Sequence, residues 1–466
     1  MELNERIDAW MNGREDELAD ALAPLIAVDS TSGPAEPGKP FGPGPAEALE
    51  RALQLARDWG FATGQDDGYV GLVDLNDKPD ALHILAHLDV VGAGEGWDTE
   101  PYQMVRDGDL IYGRGVSDDK GPAVMALLAM RCVRELGVPL TKNVKLVLGT
   151  DEESGSGDIA HYYSHNPFAP CSVTPDAAFP VTNVEKAHYT PTFSHAWEET
   201  AVSGPHLVSL RGGIRINVAP GDASARISGL TAADVSNVLS RVQERTGVAL
   251  TAEDGDGLIL RAHGVQAHAS LPDEGKNAIT ALLEAVAELP LAENPQLTTV
   301  RQLSALFPYG DNAGRALGVA QEDAVSGPLT LAFSLLEINP TGFSGQFDVR
   351  APACATEENL VRATERAFAR HGWACVGEKS EVHMVEEDSD FIRTLLDCYE
   401  HFSGKPGYCE AIGGGTYVHD IPGGVAFGAE DPDFDNRIHG ANERAKLSQL
   451  LMSAKIYAAV IARLCA

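Results

Sequence analysis

The stretch HILAHLDVV, residues 83–91, has the apolar composition of a strand buried inside an α/β sheet. His87 and Asp89 interrupt it with an imidazole and a carboxylate two positions apart. Because residues i and i+2 of a strand point to the same face, these two side chains are expected to project together. A metal-binding histidine normally donates its second ring N–H to an acceptor. The pair is therefore interpreted either as a metal ligand with its partner or as two residues hydrogen-bonded at a strand end.

Strand-like runs alternate with helical patterns on both sides of this stretch. A helix is predicted over 2–27, another over roughly 122–136, and the strand NVKLVLG follows at 143–149. This alternation predicts an α/β sandwich around a mixed or parallel sheet. After about residue 186 strands and helices mix as in an α+β domain, and from about residue 388 the chain returns to helix and glycine-rich loops.

Composition excludes several classes of partner. The 466 residues carry 35 Lys and Arg against 68 Asp and Glu, a formal charge of −33, so nucleic acid and anionic membrane surfaces would be repelled. The N-terminal stretch lacks the basic and apolar regions of a secretory signal. The seven cysteines are scattered and form no Cys-x-x-Cys pair, which favours reduced thiols and a cytoplasmic protein.

Acidic residues follow two further strand-like runs. In GRGVSDDKGP, 113–122, Asp118 and Asp119 lie between a predicted strand and a helix, where α/β folds bind ligands. In GTDEESGSGD, 149–158, three successive acids follow an apolar strand and repel one another unless a cation lies among them. A helix N-cap would explain one Asp of the first motif, and a solvated acidic turn would explain the second.

Two isolated positions complete the set, Asp176 in TPDAAFP and His439 in NRIHGANE. Four of the five acid or histidine positions follow strand-like runs at the same relative place, so their side chains can converge at one sheet edge. One or two imidazoles with several carboxylates suit zinc, cobalt or manganese. Two such ions sharing a carboxylate, ~3.5–4 Å apart, would activate a water between them.

The motifs HLDVV, GRGVSDDKG, GTDEESG, PDAAFP and IHGANE, in this order, resemble the co-catalytic metallopeptidases that include carboxypeptidase G, aminoacylase and carnosinase. Within that family the chain is most similar to the PepV-type and Xaa-His dipeptidases, from about residue 10 to residue 464. The resemblance implies a zinc-exopeptidase-like α/β/α catalytic domain formed by residues 1–186 and 388–466. It also implies an inserted two-lobed α+β lid domain over residues 187–387.

The resemblance also implies a centre for two divalent metal ions, with zinc as the first expectation and manganese or cobalt as alternatives. By motif position, His87 and Asp176 would hold one ion, Glu153 and His439 the other, and Asp118 would bridge them.

Further roles follow from the same motif positions. Glu152 would be the general base that takes a proton from the water and passes it to the leaving amine. Asp89 would be the partner residue of the metal ligand His87. The family commonly has a cis peptide after its bridging aspartate, which here is Asp118–Asp119.

Substrate contacts are implied for the lid and for a glycine-rich loop. His268, in GVQAHASLPDEGKNAI, would stabilise the oxyanion of the tetrahedral intermediate. Arg350 in FDVR would pair with the substrate carboxylate, bidentately if the geometry allows; an ordinary strand-end surface arginine is the alternative interpretation. The other implied contacts are Asn217 in INVAP and, within GGGTYVHD, Gly414, Gly415 and Thr416.

The expected activity is hydrolysis of dipeptides with a free amino terminus. About 200 residues separate Lys186 from Asp388. PepV-type enzymes have a lid of this length, and within one chain it takes the role that a dimer partner has in other members of the family. The length of the lid therefore favours a monomer. An N-acyl amino acid deacylase on the same scaffold is the alternative, and a non-catalytic peptide-binding relative is a third interpretation. A nucleotide site at GAGEG, 92–96, is disfavoured because the run lacks the G-x-G-x-x-G spacing.

Overall fold

The computed structural model describes residues 2–466, and these residues form two compact units. The first unit contains the chain through Val184 together with Met384–Glu410 and Gly415–Ala466, and the second contains Glu185–His383 together with Ala411–Gly414. Residues 411–414 are predicted from the sequence to belong to the catalytic domain. They join the second unit because the Lys186 N–H donates to the Ile412 carbonyl (3.0 Å) and Arg350 Nη1 donates to the Gly413 carbonyl (2.5 Å).

The first unit is built on a mixed sheet, so the α/β prediction is confirmed. Strand Asp80–His87 lies at its centre and runs parallel to Asn143–Gly149 on one side and to Cys171–Thr174 on the other. Two short strands, His383–Met384 and Cys409–Ile412, complete one edge. The main strands, in spatial order, are Ala62–Asp66, Val70–Asp74, Asn143–Gly149, Asp80–His87, Cys171–Thr174, Gly424–Ala426 and Val181–Glu185.

Helices with apolar faces cover this sheet. The predicted opening helix is two helices, because the backbone leaves the helical conformation at Asn12 and Gly13, where Gly13 has φ +78°. The last helix, Leu447–Leu464, is long and apolar enough to cross a membrane, but 67% of it is buried in the core. The helices are Leu3–Met11, Glu15–Ile26, Pro43–Asp58, Lys120–Glu135, Gly157–Tyr163, Asp390–Ser403 and Leu447–Leu464.

The second unit has its own sheet and its own core. Its strands pair antiparallel. At the centre of the core the aromatic rings of five residues contact one another, namely Phe193, Phe307, Phe333, Phe347 and Phe368. The helices are Ala232–Thr246, Ala278–Ala287, Pro295–Leu306 and Arg362–Ala369. The strands, in spatial order, are Ala249–Gly255, Gly257–His263, Asp222–Ser228, His206–Gly212, Thr330–Asn339, Gly342–Ala351, Thr192–Ala196 and Ala374–Val376, with Ala187–Tyr189 also pairing to Gly342–Ala351.

Three parallel strands of the first unit end at the same edge. The central strand ends at His87, Asn143–Gly149 leads into the turn Glu152–Ser154, and Cys171–Thr174 leads to Asp176. Carboxyl ends of parallel strands are where open α/β sheets bind ligands.

Candidate metal centre

His87 is the centre of the first group of ligand-type side chains. It is fully buried, and its Nε2 lies 2.9 Å from Asp118 Oδ1 and 3.7 Å from Asp176 Oδ2. On the other side of the ring, Nδ1 lies 3.0 Å from the carbonyl oxygen of Asp89, an acceptor that requires the proton on Nδ1. When the ring is neutral, the lone pair of Nε2 faces the two carboxylates, as a metal ligand requires. Burial would lower the pKa of His87, but hydrogen bonds with Asp118 and Asp89 raise it well above its ordinary value.

Asp118 joins this group to a second one. Its other oxygen, Oδ2, lies 3.0 Å from His439 Nε2, and His439 Nε2 lies 3.1 Å from Glu153 Oε1. In each group of three the candidate ligand atoms lie within 4.8 Å of one another. One carboxylate thus has an oxygen in each of two adjacent ligand sets, which is the arrangement of a bridged pair of metal ions.

The backbone at Asp118 has the expected cis peptide bond to Asp119. Asp119 precedes helix Lys120–Glu135, but its side chain does not cap that helix. Its Oδ2 instead accepts the N–H of His87 at 3.1 Å. The second Asp of the motif therefore fixes the end of the central strand, and the N-cap alternative does not hold for it.

Glu443, a residue that the sequence analysis did not single out, holds the Asp118 loop in place. Its buried carboxylate accepts backbone N–H groups from Gly115 (3.0 Å), Ser117 (2.9 Å) and Asp118 (3.2 Å), and a hydrogen bond from Arg114 Nη1 (2.7 Å). Glu443 is the last residue of the IHGANE motif, and its place in that motif is the one sequence feature that indicated a functional role for it.

Asp89 acts on the backbone of the acidic turn. Its Oδ1 accepts the N–H of Glu152 at 3.2 Å and its Oδ2 accepts the N–H of Glu153 at 3.1 Å, while its Oδ1 lies 3.5 Å from His87 Nδ1. The strand ends at His87, so the rule that i and i+2 share a face does not extend to Asp89. Asp89 therefore orients both glutamates as well as facing the histidine.

A second buried carboxylate fixes the start of that turn. Asp158 Oδ2 accepts the N–H of Asp151 at 2.9 Å and the hydroxyl of Tyr417 at 2.5 Å. Gly149 leaves room for this contact, because a Cβ there would lie 2.0 Å from the Tyr417 hydroxyl oxygen. Asp158 lies in the motif GTDEESGSGD and Tyr417 in GGGTYVHD, but nothing in the sequence indicated that their side chains contact each other.

The side chains of the centre concentrate negative charge away from water. Burial raises the pKa of Glu152 well above its ordinary value and that of Asp176 to about 7. Burial would also raise the pKa of Asp118, but hydrogen bonds with His439 and His87 hold it well below its usual range. Hydrogen bonds with Asp118 and Glu153 raise the pKa of His439 to about 11. Several buried carboxylates around two imidazoles are satisfied by divalent cations, so these residues fit metal ions.

Two residues implied to contact substrate lie side by side in the second unit. Strand Val218–Ala219 pairs with Ala267–His268, and the Ala269 N–H donates to the Asn217 carbonyl at 2.9 Å. His268 Nδ1 lies 2.6 Å from Ser270 Oγ, a contact that fixes the orientation of the ring.

Arg350 is buried and is already bound on most sides. Its Nε and Nη2 donate to the two carboxylate oxygens of Asp348 at 2.6 and 2.9 Å. Its Nη1 donates to the Gly413 carbonyl and lies 2.8 Å from His188 Nε2. A guanidinium has five N–H groups, so one on Nη2 remains for a further acceptor. Bidentate pairing with a substrate carboxylate is not available in this arrangement.

The glycine-rich loop begins in the second unit with Gly413 and Gly414 and continues in the first with Gly415 and Thr416. Thr416 caps the short helix Tyr417–Asp420 by accepting the Val418 N–H. That helix contains His419 and Asp420, for which the sequence analysis assigned no role.

Two ligand groups that share one carboxylate, at the end of the strands of a mixed α/β sheet, are the arrangement of a two-metal enzyme. The profile of the family described as Peptidase family M20/M25/M40 matches residues 83–463. The chain belongs to this metal-dependent family, and it is a hydrolase of peptide bonds. The family resemblance stated from the motifs is therefore confirmed.

Relatives match the chain over nearly its whole length. It is 34% identical to YtjP of Bacillus subtilis (strain 168) over 93% of each chain, and 32% identical to the Beta-Ala-Xaa dipeptidase of Lactobacillus delbrueckii subsp. lactis over 96% of each chain. Among solved structures, human carnosine dipeptidase 1 matches with a TM-score of 0.58 and 15% identity, covering 100% of this chain and 99% of the other. The last similarity shows that the fold is shared.

Proposed function

We propose that this protein hydrolyses dipeptides that have a free amino terminus, with two divalent ions that are zinc in the first instance and manganese or cobalt otherwise. One observation carries the proposal: Asp118 presents one oxygen to His87 at 2.9 Å and the other to His439 at 3.0 Å. The similarity to a Beta-Ala-Xaa dipeptidase supports the choice of substrate class.

The chain supplies a ligand set for each ion. His87 and Asp176 would hold the first, Glu153 and His439 the second, and Asp118 would bridge them. When bound, the two ions would polarise the scissile carbonyl and lower the pKa of the attacking water.

Glu152 is the residue we assign as the general base. Its partly buried carboxylate has a raised pKa, so it can hold a proton between two steps. It would accept a proton from the water that attacks the carbonyl carbon and deliver it to the amine nitrogen as the carbon–nitrogen bond breaks. Asp89, through the N–H groups of Glu152 and Glu153, is assigned as a positioning residue for this step.

Residues of the second unit would bind the rest of the substrate. We assign oxyanion stabilisation to His268, held by Ser270, and substrate contacts to Asn217. Arg350 would give the substrate carboxylate one hydrogen bond from Nη2. The remaining donors would be the N–H groups of the glycine-rich loop at Gly414, Gly415 and Thr416.

We further propose a cytoplasmic monomer in which residues 187–387 act as the lid. The seven cysteines are all free thiols, which supports a reducing compartment. The length of the second unit supports the monomer. Sedimentation equilibrium checks this directly, with a mass of one 49.4 kDa chain expected and twice that value contradicting it.

The activity is tested with metal-stripped protein to which zinc or manganese is added back. The substrates are free dipeptides, including β-Ala-His, paired with their N-acetylated or N-succinylated counterparts. Metal-dependent cleavage of the free dipeptides alone is the expected result. Cleavage of the acylated compounds alone would make the protein an N-acyl amino acid deacylase, and binding of both without turnover would make it a peptide-binding relative.

A further inference from the structure

A second cluster of ligand-type side chains lies in the first unit, apart from the residues of the candidate metal centre. It consists of Asp66, His161 and His165, and is called here the Asp66 cluster. Asp66 ends strand Ala62–Asp66, while His161 lies in helix Gly157–Tyr163 and His165 follows that helix. The candidate ligand atoms of the three residues lie within 4.8 Å of one another.

The two histidines present their rings to the same place. Residues i and i+4 of a helical turn are neighbours on one face, and the ring centroids lie 5.1 Å apart. The His161 ring is stacked on Tyr69, with centroids 3.9 Å apart and planes inclined by 13°. This stacking holds the ring in one orientation before any ligand arrives.

The hydrogen bonds of His165 leave an imbalance that a cation would remove. Ser164 Oγ donates its proton to the carbonyl of His161 at 2.6 Å, so it must accept the N–H of His165 Nδ1 at 3.0 Å. In the neutral ring the lone pair of Nε2 then faces Asp66 Oδ2 at 2.9 Å. Two acceptors at this distance require a positive charge between them, either a proton or a metal ion.

His161 shows a matching lack of partners. Its Nε2 is buried and, within residues 2–466, has no hydrogen-bond partner. It lies 3.8 Å from Asp66 Oδ1 and 3.4 Å from Asp67 Oδ2, without the geometry of a hydrogen bond. Asp66 in turn is oriented by Asn166, whose Nδ2 donates to Oδ2 at 2.9 Å, as outer partners orient metal ligands.

We propose that the Asp66 cluster binds a divalent transition-metal ion, with Asp66, His161 and His165 as ligands and zinc as the ion of choice. Ligand atoms about 2.0–2.1 Å from a tetrahedral zinc ion lie roughly 3.3 Å apart. Asp66 Oδ1 lies 3.2 Å from His165 Nε2 and 3.8 Å from His161 Nε2, close to that separation. The ion would fasten the strand that ends at Asp66 to the helix that follows the Glu152–Glu153 turn. It would be a third ion, in addition to the two of the proposed centre.

The test measures bound zinc per chain by mass spectrometry after dialysis of the full-length protein against one buffered zinc concentration. The expected result is that His165→Asn and Asp66→Asn each bind one ion fewer than the wild type, with affinity at this site reduced about tenfold or more. The difference between wild type and variant is one ion whatever the other centre holds. The result is therefore independent of the proposed function.

The matched control is His263→Asn, which breaks an exposed His–Asp pair with Asp222 in the second unit. This control is expected to bind as much zinc as the wild type. Equal zinc in wild type, His165→Asn and Asp66→Asn would overturn the proposal. Loss with His165→Asn but not with Asp66→Asn would overturn the assignment of Asp66 as a ligand.

A crystallographic measurement on the wild-type protein tests the same site without any variant, and so does not depend on whether the variants fold. Crystals of the wild-type protein soaked in zinc should show an anomalous difference peak bounded by Asp66, His161 and His165. Peaks near His87 and His439 together with an empty Asp66 cluster would overturn the proposal.

Discussion

Glu152 and Glu153 are adjacent in the sequence but have different surroundings. Glu153 Oε1 lies 3.1 Å from His439 Nε2, within a ligand group, whereas burial among other carboxylates raises the pKa of Glu152 well above its ordinary value. The same substitution at the two positions should therefore have different consequences.

Glu152→Gln is expected to reduce kcat by a factor on the order of 10²–10⁴ while bound metal stays at the wild-type level, because the proton acceptor is lost and the ligands remain. Glu153→Gln is expected to lose metal. Turnover and metal content of both variants are measured on the same preparations. Metal loss in Glu152→Gln with retention in Glu153→Gln would mean that the two roles are exchanged.

Metal binding is expected to release protons. Burial raises the pKa of Asp176 to about 7, and hydrogen bonds with Asp118 and Glu153 raise the pKa of His439 to about 11. Near neutral pH His439 is therefore protonated and Asp176 is about half protonated, and a metal ion must displace these protons. Affinity should therefore fall as the pH falls through 7. Titration calorimetry in two buffers of different ionisation enthalpy counts the protons. Asp176→Asn should release fewer protons than wild type, and an unchanged count would contradict the assignment.

The sequence pointed to the candidate ligands because each lies at the end of a strand-like run or within a distinctive motif. It could not locate Glu443, whose role is to accept N–H groups from residues about 325 positions earlier in the chain. Long-range acceptors of this kind leave no local pattern. Asp89 was identified, but its contacts with the Glu152–Glu153 turn depend on where the strand ends, which the pattern did not specify.

At the scale of elements, apolar patterns predicted the strands that are continuous apolar runs, and missed others such as Cys171–Thr174 and Asp222–Ser228. The strand at 143–149 was predicted with the bounds that the structure has, because it is a continuous apolar run between turns. Helix Pro295–Leu306 was not predicted. Its apolar face is interrupted by Thr298, Thr299 and Arg301, and packing against helix Ala278–Ala287 contributes to its place in the fold.

The loop before helix Lys120–Glu135 depends on a residue from the far end of the chain. Glu443→Ala would leave Arg114 as an uncompensated buried charge and three backbone N–H donors without their acceptor. The free energy of unfolding is expected to fall by about 3–5 kcal/mol, measured by urea denaturation.

The matched control for that substitution is Arg393→Ala, which removes an exposed ion pair with Asp390. Exposed pairs contribute little, so the control should unfold almost like the wild type. Similar decreases in the free energy of unfolding of both variants would show that the buried Glu443 network stabilises the protein no more than an exposed ion pair does.

Each of the two units has its own main hydrophobic core, and the candidate metal ligands all belong to the first unit. Removal of metal by a chelator should therefore lower the stability of that unit alone. At a ligand concentration a thousand times Kd the stabilisation lost is about 4 kcal/mol. Calorimetric scans with and without chelator should show one unfolding transition that shifts and one that does not.

A ligand variant provides the control for this measurement. Scans of Glu153→Gln should shift less on chelation than scans of the wild type, because less metal is bound at the outset. A chelator that moved both transitions equally would contradict the confinement of the metals to the first unit.

The discontinuity of the first unit has a consequence for synthesis on the ribosome. The second unit consists mainly of residues 185–383, so its sheet is complete in the emerging chain while the first unit still lacks strand Gly424–Ala426 and helix Leu447–Leu464. Domains fold as units as the chain is translated, at about 5–20 residues per second. His439 is the last of the candidate ligands to leave the tunnel. The nascent chain therefore carries a folded insertion for several seconds before it can assemble both ligand groups, which delays peptide hydrolysis until translation is almost finished.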